Sequence, residues 1–395
     1  MKNRLLQTPE GVRDLYRDQC EQKMALEQTL VKEMKICGYR MIDTPSFEFF
    51  DVFNQEFGTT SSRKLYKFFD REGNTLVLRP DITPSIARCA ATYFLEEAVP
   101  LRFCYNGKTF INNTRYQGRL MERTQSGAEL IGDGSVDADA EMIALSVRLL
   151  LSSGLENIQI SIGHADFLKG LFEASGLDEE SVDEIRELIL NRNFYGVEDY
   201  IDDLGLDPDL SWLYGQLKNA LMEKEDLSEL KERASRYPRI VASLERLEEL
   251  DALLAIYGVD RYVSYELALT SEINYYTGVL FAGYTYGSGE AVVAGGRYDT
   301  LLQYFGKDAP AIGFAIITDQ LYDALKHQHI RVSGENKAKW ILYSEKNREE
   351  ALKDAMVLRE EKEEVVLMRI NDETDIEKFE TYAANNGITD LIYYI

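Results

Sequence analysis

Histidine is nearly missing from this chain. Three residues of the type in 395 (His164, His327 and His329) leave little from which to build a transition-metal site, and the i, i+2 spacing of the last two does not share a helix face. Cysteine is almost as scarce. The four present (Cys20, Cys37, Cys89, Cys104) contain no C-x-x-C pair, which excludes a disulfide framework or a zinc set and leaves buried thiols in a reducing compartment. Basic charge is also in deficit, with 44 Lys and Arg against 68 Asp and Glu and a formal charge of −24. Binding a polyanion requires cations that displace its condensed counterions, so no tRNA is expected as a partner. No run of about 18 apolar residues appears, and the start MKNRLLQTPEG has no core of the signal-peptide type. A cytoplasmic chain without a membrane contact is the expectation. No Ser-His-Asp or Cys-His arrangement is suggested, and no cofactor or metal is expected.

What is present is ample apolar material, 45% of the chain, enough to bury a full core. Apolar residues at helical spacing predict a helix from Asp18 to Cys37, ended by Gly38. Tyr39 to Thr44, Leu65 to Phe69 and Thr75 to Leu78 predict strands opening an antiparallel sheet. Helices follow at Thr83 to Phe94 and Asp137 to Leu151, with strands at Leu101 to Phe110, Glu129 to Ile131 and Ile158 to Ile162. From Leu168 to Leu254 the pattern is helical and acid-rich, which predicts an insertion into the main domain. Strands return at Val263 to Leu269, Gly278 to Tyr286 and Ala311 to Ile316, with a Gly-rich turn expected at AGGRYD (Ala294 to Asp299) and a helix from Asp319 to His327. After a polar linker near Arg331 to Lys337, the tail alternates strand and helix as a small, parallel α/β unit. The expected class is α+β, with residues 1–330 as a core that includes the 168–254 insertion, and 338–395 as a separate tail.

Six segments in series carry a family likeness: TPEGVRDLY at Thr8, GYRMIDTPSFE at Gly38, KFFDREGNTLVLRPDIT at Lys67, QSGAELIG at Gln125, NYYTG at Asn274 and AGGRYDTLL at Ala294. Together they resemble the class II aminoacyl-tRNA synthetase core, specifically histidyl-tRNA synthetase, over Thr8 to about Leu325. The tail looks like a shortened form of that family's anticodon-binding domain. The resemblance implies an antiparallel sheet flanked by helices, and a dimer formed through the first helix and the GY…TP segment.

Amino-acid activation builds negative charge on the α-phosphate of ATP, which active synthetases neutralise with fixed guanidinium groups and Mg²⁺. At the three matching positions this chain has Ile111, Ser271 and Gln320, with Asn113 where the family has a glutamate. Losing one preorganised stabiliser costs about 3–4 kcal/mol of barrier, so three losses predict no adenylation. Compensation by Arg115, Arg119 or Arg123 would require new cations in fixed geometry.

The amino-acid half is kept. By resemblance, Asp81 and Thr83 would hold the ammonium of a histidine ligand, Gln125 its amino and carboxylate end, and Glu129 its imidazole N–H, with Tyr275, Tyr276 and Tyr298 around the ring. Blander readings exist for each: Asp81 as a cap of the following helix, Glu129 as a solvated strand residue, Tyr298 as core. Gly295 and Gly296 lack the strand, turn and helix context of a phosphate loop, and close backbone packing is expected there.

A histidine pocket without adenylation machinery is similar to a paralogue family, the regulatory subunits of ATP phosphoribosyltransferase. That likeness implies a hetero-oligomer with the short-form catalytic subunit, histidine as effector, and an allosteric role in histidine biosynthesis. Two alternatives stay open: a divergent histidyl-tRNA synthetase, or another synthetase paralogue that binds an amino acid.

Overall fold

The computed structural model describes residues 4–53, 60–113, 120–270, 276–332, 338–371 and 376–395. The chain divides into two compact units, one of residues 1–14 and 26–332 and one of 15–25 and 333–395.

In chain order the first part forms α1 (Asp18–Ile36), β1 (Arg40–Met41), β2 (Phe47–Phe49), β3 (Lys67–Phe69), β4 (Thr75–Leu78), α2 (Thr83–Tyr93), β5 (Leu101–Phe110), β6 (Glu122–Ile131) and α3 (Val136–Ser152). After β7 (Ile158–His164) come six helices, α4 (Ala165–Ser175), α5 (Glu179–Leu190), α6 (Phe194–Leu204), α7 (Pro208–Gly215), α8 (Lys224–Arg233) and α9 (Pro238–Tyr257). The chain then returns to β8 (Val263–Tyr265), β9 (Val279–Thr285), β10 (Val293–Arg297), β11 (Ala311–Ile317) and α10 (Thr318–His327).

Among the described residues the larger unit is built on an eight-stranded sheet in the order β1-β5-β6-β11-β10-β9-β7-β8. Every neighbour pair is antiparallel except β1 with β5 and β7 with β8. Strands from both sides of the helical insertion thus share one sheet. A second, three-stranded antiparallel sheet has the order β2-β4-β3. Class α+β holds.

Four sequence expectations shift, and one of them is that the strand expected over Val263 to Leu269 ends at Tyr265. The strand expected over Tyr39 to Thr44 shrinks to Arg40–Met41 and runs parallel to β5 at the edge of the large sheet, apart from the β3–β4 pair. Its continuation leaves the ladder because the carbonyls of Thr44 and Pro45 accept hydrogen bonds from the buried Arg79 guanidinium at 2.6 and 3.3 Å. AGGRYD is not a turn: Val293–Arg297 is a central strand between β9 and β11. Its glycines make room for rings, since a Cβ on Gly295 would lie 2.6 Å from Phe281 and one on Gly296 2.8 Å from Tyr276. The strand expected to begin at Glu129 starts at Glu122 and pairs with β5 over its whole length.

One core runs from the sheet through α3 into the insertion, where α9 buries Ile240, Leu244, Leu247, Leu250 and Leu254 in the same cluster as Leu145, Leu149, Ile160 and Ile162. At about 25 cal/mol per Å² of apolar surface removed from water, this shared burial is what fixes the helices on the sheet.

The second unit contains β12 (Lys339–Tyr343), α11 (Arg348–Glu360), β13 (Val365–Arg369), α12 (Ile376–Asn385) and β14 (Leu391–Tyr394). Its sheet, β13-β12-β14, is parallel. Ala351 and Ala355 of α11 pack with Ile341, while Ala383 of α12 packs with Trp340. Residues 15–25 join this unit, where Arg17 donates to the Tyr382 hydroxyl at 2.6 Å. Among the described residues no helix is long and apolar enough to cross a membrane.

Candidate functional site

The site grows from the period-two rule of a strand. On β6, Gln125, Gly127 and Glu129 share a face, and the register sets Glu129 opposite Phe103 of β5 and Gly313 of β11, with Gly127 opposite Tyr105 and Ala315. Small residues on this face form a floor. A Cβ on Gly313 would sit 1.6 Å from Glu129 Oε2, and one on Gly127 would sit 2.5 Å from the Tyr105 hydroxyl, so both glycines are required by what lies over them.

Glu129 is wholly buried and is held at both oxygens. The Thr83 hydroxyl, from the start of α2, donates to Oε1 at 2.7 Å, and the Tyr298 hydroxyl, just past β10, donates to Oε2 at 2.5 Å. Burial pushes its carboxyl up to about 8, with the Asp81 charge adding to the rise and the two hydroxyls opposing it. No lysine or arginine pairs with it among the described residues. Tyr298 and Tyr105 are raised in turn, by burial first and then by Glu129; Tyr276 is raised by burial and then by Asp81. The result is an acid of unusual proton affinity, walled by phenols.

The structure thus brings Thr83, Glu129 and Tyr298 into direct hydrogen bonding, and sets Tyr276 over Gly296 in electrostatic reach of Asp81 and Glu129. Asp81 is half-buried and its Oδ1 accepts the amide of Ile82 at 2.8 Å. The N-cap of α2 is Ile82, whose side chain makes no cap, and Thr83 Oγ1 turns to Glu129. Nor is Glu129 a solvated strand residue. Gln125 is buried with its Oε1 lacking any hydrogen-bond partner. An unsatisfied buried amide oxygen costs about 1–3 kcal/mol, a debt that a ligand's N–H would remove. Tyr275 and Ser271 lie outside the described residues.

Sequence reasoning passed over Tyr105 and Gly313. Tyr105 was legible as the middle of Phe103, Tyr105 and Gly107 at period two; the Gly313 role depends on register across β6 and β11, which no local pattern encodes. Arg79, next to the site in sequence, is a pin: its Nε donates to the Lys108 carbonyl at 2.8 Å and its Nη1 to Thr44.

At the positions where the resemblance places ATP-binding arginines, the side chains are neutral. The Ile111 amide donates to the Met121 carbonyl at 2.8 Å and Gln320 Nε2 donates to Glu290 at 2.8 Å, while Asn113, where the family has a glutamate, has its Nδ2 buried without a partner. Arg123 donates to the Leu120 carbonyl at 3.1 Å; Arg115 and Arg119 lie outside the described residues. Among the described residues no cluster of His, Cys, Asp and Glu could hold a metal ion.

Fold and sequence place the molecule in the histidyl-tRNA synthetase class: the family model for histidyl-tRNA synthetase matches residues 11–321. A solved histidyl-tRNA synthetase from Nostoc, 20% identical, shares the fold with a TM-score of 0.79 over 97% of this chain and 90% of its own. Within that class the chain belongs to the ATP phosphoribosyltransferase regulatory subunit family. A regulatory subunit from Acetivibrio thermocellus is 37% identical over 388 residues, covering 98% of this chain and 91% of that one. A structure from Bacillus halodurans, described as an ATP phosphoribosyltransferase regulatory subunit/histidyl-tRNA synthetase, is 31% identical with a TM-score of 0.87, over 100% of this chain and 99% of its own.

Proposed function

We propose that this chain is the non-catalytic regulatory subunit of an ATP phosphoribosyltransferase, which joins a short-form catalytic subunit for the first step of histidine biosynthesis and carries feedback inhibition by histidine. The observation that supports this most is a contrast between two sets of positions: a buried Glu129 bracketed by Thr83 and Tyr298, without a lysine or arginine partner among the described residues, against Ile111 and Gln320 at positions where, by resemblance, activation of ATP would need guanidinium groups.

In this reading histidine enters as a small cationic zwitterion. Its ammonium faces Asp81 and Thr83, Gln125 Oε1 takes an N–H from its amino end, and an imidazole N–H meets Glu129 among Tyr275, Tyr276 and Tyr298. The carboxylate that forms on Glu129 gives the ligand a charge partner in a dry site. Feedback then requires histidine to favour one state of the complex over another, with coupling of about 1–3 kcal/mol. Self-association through the core fits Phe47, Phe49 and Phe68, which stand exposed on one face of the three-stranded sheet. The charge of −24 argues against tRNA.

Calorimetry of the purified chain with L-histidine, alongside pyrophosphate exchange into ATP, tests the reading. Histidine binding that fails in Asp81→Ala and Glu129→Ala, with no exchange, is expected. Histidine-dependent exchange at synthetase rates would restore a divergent histidyl-tRNA synthetase, and equal binding of unrelated amino acids would point to a different paralogue.

A further inference from the structure

Arg297, the arginine of AGGRYD, is buried (side chain 3% exposed) and lies at a junction of the pocket. Its backbone carbonyl accepts the amide of Thr277 at 2.8 Å, next to Tyr276, and the residue after it is Tyr298. Its guanidinium turns the other way. It donates to the carbonyls of Asp133 and Ser135 at 3.0 and 3.1 Å, in the turn four to six residues past Glu129, and through Nε and Nη2 to Asp139 Oδ1 at 2.8 and 2.6 Å. One side chain therefore ties the segments bearing Glu129, Tyr276 and Tyr298 to the first turns of α3.

Asp139, with its side chain fully buried, has a second guanidinium on its other oxygen. Arg246, on α9 of the helical insertion, reaches Asp139 Oδ2 through Nε at 2.8 Å and Nη2 at 2.6 Å, and donates to the Gly134 carbonyl at 3.1 Å. The Asp133–Ser135 turn is thus clamped from both sides, by Arg297 from the pocket and by Arg246 from the insertion. Arg297 also donates through Nη1 to Asp299 Oδ1 at 3.2 Å, so Asp139 and Asp299 together face two arginines and Arg246 supplies the second cation from the insertion side. Arg246 is also 26% exposed on its side chain, so water can replace it. A partly exposed residue that completes this charge cluster from an inserted helix, and so links that helix to the segments bearing Glu129 and Tyr298, has the features of a coupling element.

We propose that Arg246 is a positioning residue for the amino-acid pocket: through Asp139 and Arg297 it holds Glu129 and Tyr298 in register, so that occupancy of the pocket and placement of α9 bias each other. This rests on reading the pocket as a histidine site and names the route by which its state reaches the insertion. Reciprocity follows from linkage, because whatever shifts α9 alters histidine affinity by the factor with which histidine shifts α9.

The test measures histidine affinity by calorimetry in the full chain for wild type, Arg246→Ala, Arg246→Met, Arg246→Lys and Arg233→Ala. The last removes an insertion arginine whose partner is the surface Asp209. Expected are a loss of about tenfold for Arg246→Ala and Arg246→Met, a smaller loss for Arg246→Lys, which keeps the charge, and none for Arg233→Ala. Methionine preserves the stem packing and loses only the polar contacts, so its loss separates coupling from packing. Arg246 variants that bind within twofold of wild type overturn the coupling and leave the pocket reading standing; a wild type that binds no histidine overturns both. Should the variants fail to fold, hydrogen exchange on wild type decides: histidine slows the amides of Ile240 to Leu247 if the coupling exists, and protection confined to the sheet strands overturns it.

Discussion

A glutamate in water ionises near 4.5, yet Glu129 is pushed up to about 8 by burial and by Asp81. Between those values the unfolded chain has released the proton that the folded chain keeps, so the unfolded state binds fewer protons and stability falls as pH rises, levelling off above about 8. Glu129→Gln removes this slope. Denaturant melts across pH 5 to 8 should show wild type losing about 1 kcal/mol per pH unit relative to the variant, and parallel curves would contradict the assignment. The same proton reports on the ligand. At pH 7 the ring of free histidine is mostly neutral, so a cationic imidazole facing the Glu129 carboxylate takes up most of the proton that Glu129 gives up and little is released; at pH 5.5, where the ring arrives charged, binding should release close to one proton, seen as a heat that varies with the ionisation enthalpy of the buffer. Gly313→Ala tests the floor: a Cβ 1.6 Å from Oε2 must displace the carboxylate. It should abolish histidine binding and cost about 1–3 kcal/mol of stability, as overpacking does.

At the scale of elements, the insertion is a structural part of the large unit because α9 shares its core with α3 and β7. Leu244→Ala, which opens a cavity there, should cost about 2–5 kcal/mol and lower the melting of the sheet and insertion together; a separate early transition for the helices would show that they fold apart. The helices of the insertion and the strands β5, β13 and β14 were legible because their apolar residues recur at 3.6 or 2, or fill a short buried run bounded by turns. β10 was not, because glycine usually marks a turn and here admits the rings of Phe281 and Tyr276. The first half of β6 was missed for a related reason: one face lines the pocket with Gln125 and Gly127, so the apolar alternation that marks a strand is absent. The contacts of Glu129 with Thr83 and Tyr298 span 46 and 169 residues and follow from register, which local pattern does not encode. Family resemblance supplied the identities of those residues before the structure supplied their contacts.

At the scale of the whole molecule, electrostatics and catalysis point the same way. A net charge of −24 opposes the counterion release that tRNA binding draws on, and filter binding at about 0.15 M salt should detect no complex. Adenylation should also be absent, since Ile111, Ser271 and Gln320 each remove a stabiliser worth about 3–4 kcal/mol in the transition state. The proposed function is then that of a protein that would recognise an amino acid without transforming it, with its effect read out on a partner. The most direct measurement is reconstitution: a short-form ATP phosphoribosyltransferase catalytic subunit assayed for phosphoribosyl-ATP formation alone, with this chain, and with this chain plus L-histidine. The account predicts little activity from the catalytic subunit alone, a large gain on adding this chain, and suppression of that gain by histidine; a catalytic subunit equally active alone, or a gain that histidine leaves untouched, would contradict it.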